Sequence, residues 1–118
     1  METQALYSTT TEVIDFSYNW NNKLTGNYFT TLRLYNIKYT IGKRFIVRLK
    51  GQALCQVEVM ETRILLLKDV NDWIAGIDTG YSKEEAQNII KKMYSGKNWE
   101  VERLVLVLLK KVKGTEVK

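Results

Sequence analysis

The sequence predicts an α+β domain, a small curved mixed sheet or barrel of about five to six strands with two helices inserted before the last strand. Three observations carry this reading. Short runs with period-two alternation recur through the first half of the chain, and two runs with helical spacing sit together near residues 69–94. The chain also has no proline, which removes one common device for blunting an exposed sheet edge and so favours closure. A length of 118 residues fits one domain, with a core over about 13–110, a loose leader before it and a basic tail after it.

The elements follow in order. Val13 to Tyr18 alternates weakly and reads as a short strand. The Asn-rich stretch Asn19 to Asn27, with Gly26, reads as a loop carrying Trp20, Lys23 and Leu24. Tyr28 to Tyr35 is β-branched and aromatic, a strand. Arg44 to Lys50 alternates, with Phe45, Val47 and Leu49 toward a core and Arg44, Ile46, Arg48 and Lys50 on the other face. Gly51 then turns the chain into a strand from Leu54 to Leu67, bent or bulged near Glu61-Thr62. Asp69 is expected to cap a short helix to Ile77, with Val70, Trp73, Ile74 and Ile77 along one side. Asp78-Thr79-Gly80-Tyr81 breaks it, and Ser82 with Glu85 forms a capping box for a second helix. That helix lays Ala86, Ile89, Ile90, Met93 and Tyr94 on one stripe and ends at Gly96. The unbroken apolar run Leu104 to Leu109 places the last strand, Val101 to Leu109, in a central position.

Composition excludes several chemistries. With no histidine there is no Ser-His-Asp or Cys-His nucleophilic site and no imidazole-ligated metal. The lone Cys55 cannot close an internal disulfide, which points to a reducing, cytoplasmic setting without a disulfide-linked partner. It sits in an apolar strand and reads as an inert buried thiol. The carboxylates show no cation-loop spacing and the glycines form no phosphate loop, so neither a metal nor a cofactor is expected. No apolar run approaches the ~20 residues of a membrane helix, and no membrane partner is expected.

The net charge of +5 is unevenly distributed. Residues 1–15 carry −3, residues 16–57 carry +7 with no acid, residues 58–109 carry −2 and the remainder +3. The acid-free stretch also holds eight of the thirteen aromatic residues, among them Trp20, Tyr28 and Phe29. Cations that neutralise phosphates, interleaved with rings that stack on bases, suit RNA or a nucleotide. The alternative is a core of aromatics beneath an ordinary solvated basic face.

Trp20 through Arg33, Gly42, the Asp78-x-Gly80-x-Ser82 step and the closing helix–strand pair together resemble the ASCH family. The resemblance implies the PUA-like fold, a small mixed β-barrel with flanking helices, and a role in binding RNA or acting on nucleosides. The family signature Gly-x-Lys-x-x-Glu-x-Arg aligns with Gly26, Tyr28, Thr31 and Arg33, so the glycine and arginine match and the lysine and glutamate do not. Some small members use a lysine, a threonine and a carboxylate to hydrolyse the amide of an acetylated cytidine. That scheme implies Thr31 as nucleophile and Asp78 as carboxylate, with Lys23 from the neighbouring loop replacing the lysine absent at Tyr28.

Two functions are therefore carried forward, with protein interaction without a nucleic-acid role as a third. The first is an RNA- or nucleotide-binding module, with Arg33, Lys23, Arg44, Arg48 and Lys50 as phosphate contacts and Tyr28 and Trp20 as stacking rings. The second is an amidohydrolase of an N-acylated pyrimidine nucleoside using Thr31, Asp78 and Lys23. Each residue has a structural alternative. Arg33 could pair with Asp78 or Glu58, Thr31 could serve β-propensity, and Asp78 could be turn chemistry before Thr79-Gly80. Trp20 is either a lid over a ligand or a plug of the barrel mouth, while Trp73 and Trp99 are expected to pack into the core or against a helix.

Overall fold

The computed structural model describes residues 12–114. The expected leader before residue 12 and the end of the basic tail lie outside them. Strands β1 (Val13–Phe16), β2 (Tyr28–Leu34), β3 (Arg44–Leu49), β4 (Gln52–Leu66) and β5 (Arg103–Lys111) form one sheet in the order β1-β3-β4-β5-β2. Helices α1 (Asp72–Asp78) and α2 (Lys83–Met93) lie between β4 and β5, as the sequence predicts. β1 runs parallel to β3, and the other neighbours are antiparallel. β5 sits between β4 and β2, which agrees with its apolar run.

The sheet curls into a half-barrel. β4 supplies the bend. Its register shifts once against β3, at Val47/Arg48, and once against β5, between Val59 and Glu61. Each shift inserts a residue that kinks the strand and increases its twist. The β3–β4 hairpin turns on Lys50 and Gly51, whose φ values of 52° and 83° match a two-residue turn that follows the strand twist.

Two cores result. The concave face closes over Ile14, Phe16, Leu24, Phe29, Phe45, Val47, Val57 and Val107. A second core, of Leu67, Val70, Ala75, Ala86, Ile90 and Leu104, joins the helices to the sheet, with Trp99 packed against it. Cys55 is buried, as expected.

The edge strands β1 and β2 meet through side chains across a seam. The Phe16 and Phe29 rings stand edge to face at 6.3 Å, and Arg33 Nη2 donates to the Asp15 carbonyl at 2.6 Å.

Two local expectations are corrected. Asp69 does not cap α1. It closes a 3₁₀ turn, Leu67–Asp69, by accepting from the Leu66 amide, and Asn71 caps the helix by accepting from Ile74 N. The later start rotates the helix, so Ala75 and Asp78 face inward while Trp73 is 76% exposed and Ile77 is also exposed. The Ser82–Glu85 capping box forms as read.

Candidate ligand-binding cleft

A cleft of about 70 Å³ opens at the seam between β1 and β2. Asp15 and Phe16 line it from β1, Thr31 to Arg33 from β2, and Ser17, Trp20 and Lys23 from the segment between them. The end of α1 contributes Asp78 and Thr79, and α2 adds an apolar wall that includes Ile89 and Met93.

The Asn-rich loop is a device for placing Lys23. It coils into a 3₁₀ segment, Trp20–Thr25, broken at Asn21 and Asn22, whose φ values of 57° and 53° are left-handed. Asparagine tolerates that region because its short amide can bond locally. Asn19, which itself has φ −90°, braces the turn by accepting from the Leu24 amide at 3.0 Å and donating to Asn22 Oδ1 at 3.1 Å. Buried Leu24 anchors the segment in the concave core. Gly80 has φ 81°, and a Cβ there would lie 3.1 Å from Asn21 Oδ1, so glycine is needed for both conformation and close approach.

Lys23 and Asp78 form a buried ion pair. Lys23 Nζ donates to Asp78 Oδ1 at 2.7 Å and to the Asp78 carbonyl at 2.9 Å, and the two side chains are only 7% and 8% exposed. Thr30 Oγ1 donates to the same Oδ1 at 2.8 Å. Burial pushes the Lys23 ammonium below its usual pKa, while Asp78 opposes that shift. Asp78 Oδ2 accepts no hydrogen bond among the described residues. Since no buried side-chain oxygen or nitrogen there lacks a partner, Oδ2 reaches accessible surface, and Asp78 lines the cleft.

Arg33 is clamped beside this pair. Its Nε donates to Thr31 Oγ1 at 2.9 Å, its Nη2 to the Asp15 carbonyl, and its guanidinium lies 4.7 Å from the Phe16 ring centre. It pairs with neither Asp78 nor Glu58, the partners of its structural alternative; Glu58 instead faces Arg44 at 3.5 Å. Thr31 and Arg33 share one side of β2, as alternation requires, and Thr31 is buried. The Thr31 hydroxyl accepts from Arg33, not from Lys23.

Trp20 stands at the mouth, 4.7 Å from the Tyr18 ring and 5.9 Å from the Tyr81 ring. It is half-buried and lines the cleft without filling it. Tyr28 lies elsewhere. It is exposed beneath Lys110 and lines a separate hollow with Thr30 and Ile77.

Arg44, Arg48 and Lys50 do not line the cleft. Arg48 makes a forked contact with Asp15, at 2.7 and 3.0 Å, Arg44 faces Glu58, and Lys50 is exposed in the hairpin turn. The reason is topological: parallel pairing brings β1, which carries Asp15, beside β3, so this basic face acquires a carboxylate from outside its own segment. Thr30 and the Asp15 carbonyl were not singled out from sequence. Thr30's signal is its place in β2, one residue out of phase with Thr31.

Among the described residues, no group of three or more Cys, Asp or Glu side chains could hold a metal ion. No helix there is long and apolar enough to cross a membrane.

No family model matches this chain, and no curated protein matches it. Among solved structures, it is similar to the crystal structure of protein EF3133 from Enterococcus faecalis V583, of the family of unknown function DUF984. The superposition has a TM-score of 0.65 at 14% identity and covers 94% of this chain and 86% of that one. At that identity the likeness concerns the fold alone.

Proposed function

We propose that the cleft binds a nucleotide or nucleoside in a PUA-like module of the ASCH type, acting in a reducing cytoplasmic setting. The observation that carries this reading is the buried Lys23–Asp78 pair, which opens one carboxylate oxygen to a cleft flanked by Arg33 and Trp20. A buried ion pair contributes little net stability compared with an apolar pair, so its place in a cleft favours a recognition role. In this reading Asp78 Oδ2 accepts from an exocyclic amine or ring N–H, as carboxylates do from bases. Trp20 stacks on the ring, and the guanidinium of Arg33 meets a phosphate.

The cleft is small beside ordinary ligand pockets of about 300 Å³ or more, so binding requires Trp20 to swing outward. With Arg44 and Arg48 already facing carboxylates, the reading favours a nucleotide over a long RNA track. Calorimetric titration of nucleosides and nucleotides tests it. Binding that weakens on Arg33→Ala and quenches Trp20 fluorescence is expected; absence of binding across all bases would overturn it.

One observation favours amide hydrolysis as a second reading: Thr31, Asp78 and Lys23 all line the same cleft. Thr31 Oγ would attack the acyl carbon of an N-acylated pyrimidine, passing its proton to Lys23 once that ammonium has given one of its own to Asp78. Lys23 returns the proton to the exocyclic nitrogen as the C–N bond breaks, and water then cleaves the acyl-threonine to release the acid. Incubation with N4-acetylcytidine and chromatography for cytidine decides it, with Thr31→Ala as the control.

A further inference from the structure

Arg33 is the wall between the cleft and a second, more open basin of about 390 Å³. The basin has three cations on its lining, Arg33, Lys38 and Lys97, against the single acid Glu102. Its remaining polar lining is Asn36 with the tyrosines at 35, 39 and 94.

These cations differ from those on β3. Lys43, Arg44 and Arg48 each face a carboxylate. Lys38 and Lys97 form no ion pair among the described residues, although Lys38 lies near enough to Glu12 and Asp15 to depress both carboxyls. Lys38 is half-buried, its Nζ 5.3 Å from the Tyr39 ring centre, and its backbone amide is fixed by Asn36 Oδ1 at 2.9 Å. Burial raises the Tyr39 phenol, so its hydroxyl stays protonated and able to donate. A hollow of ammonium, guanidinium and phenol donors, with Glu102 the one acid on its lining, matches a chain of phosphate oxygens.

We propose that this basin is a polyphosphate subsite: a nucleotide held in the cleft runs its phosphates past Arg33 to Lys38 and Lys97. The preferred ligand class is then a nucleoside di- or triphosphate over the nucleoside. The inference rests on the nucleotide reading of the cleft, but its test separates the two.

The full chain is titrated with sodium tripolyphosphate alone, followed by backbone amide NMR, and then calorimetrically with nucleosides and their triphosphates. Amide shifts at Asn36, Lys38 and Lys97 are expected with tripolyphosphate. Triphosphates are expected to bind about tenfold or more tighter than nucleosides, as two or three charge-assisted contacts imply. The double variant Lys38→Gln/Lys97→Gln should lose the share of that preference that the two lysines supply, leaving only what Arg33 holds, while keeping nucleoside affinity, and an unchanged melting curve confirms its fold. If nucleosides bind but the preference is absent, or survives the double variant undiminished, the basin proposal falls and the cleft reading stands. If no nucleoside binds while tripolyphosphate shifts these amides in the wild type and not in the variant, the basin stands and the cleft reading falls. If tripolyphosphate leaves the three amides unmoved, the basin proposal is overturned.

Discussion

The cleft and the β1–β3 face each hold an ion pair with an N–O distance of 2.7 Å, Lys23–Asp78 in one and Arg48–Asp15 in the other. The chemistry is alike, a base from the acid-free stretch meeting an acid from outside it. The surroundings are opposite. The cleft pair is less than a tenth exposed, whereas the side chains of the other are 41% and 58% exposed. In the cleft little water reaches either partner, so each charge depends mainly on the other. On the open face water and salt solvate both ends, and the pair serves mainly to neutralise. Distance alone therefore does not rank these contacts; burial does.

The contrast is most sharply tested at Asp78. Asp78→Ala strands the Lys23 ammonium and is expected to destabilise the fold by about 3–5 kcal/mol in denaturant unfolding. Replacing both partners, Lys23→Met with Asp78→Leu, should recover most of that loss. A single variant no weaker than Arg48→Ala would erase the distinction between the two regions.

Arg33→Ala comes next. It removes the clamp on Thr31 and the seam contact to Asp15, and should lower nucleotide affinity about tenfold or more while the chain still folds. The smallest mutational effect belongs to Arg48→Ala, which should leave the unfolding midpoint within experimental scatter and the nucleotide affinity unchanged.

Proton linkage should separate the regions by pH. Arg48 and Lys43 hold the Asp15 and Glu12 carboxyls below their usual range. Their small stabilising contribution is present above the unfolded-state carboxylate values near ~4, and is lost as pH falls through the lowered folded values. Lys23 acts with the same sign in a different, alkaline window. Its folded pKa is depressed by burial, so the unfolded chain binds more protons in the alkaline window below the usual lysine value. Stability through Lys23 rises with pH across that window. Melting curves of wild type and Lys23→Met as a function of pH check both windows, with the acid-side loss present in both proteins and the alkaline rise absent in the variant.

Much of the architecture was legible because it is written locally. Alternation located β3, the Ser82–Glu85 pair located the start of α2, and six apolar residues in a row located β5 between two neighbours. The α1 cap was misplaced because Asp69 and Asn71 both suit the position and only the tertiary turn at Leu67–Asp69 chooses between them. That choice rotated the helix and put Trp73 in solvent and Asp78 inside.

Charge was the least legible property. The +7 stretch has no acid in sequence, yet Lys23, Lys43, Arg44 and Arg48 all face acids from outside it. Those partners lie 14 to 55 positions away, and no local pattern announces such pairings. Among the described residues, what remains without a paired carboxylate is Arg33, Lys38 and Lys50, and two of these three border the basin beside the cleft.

A nucleotide held at the β1–β2 seam is located by the residues it touches. Amide and indole NMR shifts on titration with a nucleoside triphosphate report this in one experiment. The predicted result is a shift of the Trp20 indole and of the Thr31, Arg33 and Asp78 amides, with the β3 face unmoved. Shifts confined to Arg44, Arg48 and Lys50, or no shift at saturating nucleotide, would contradict it.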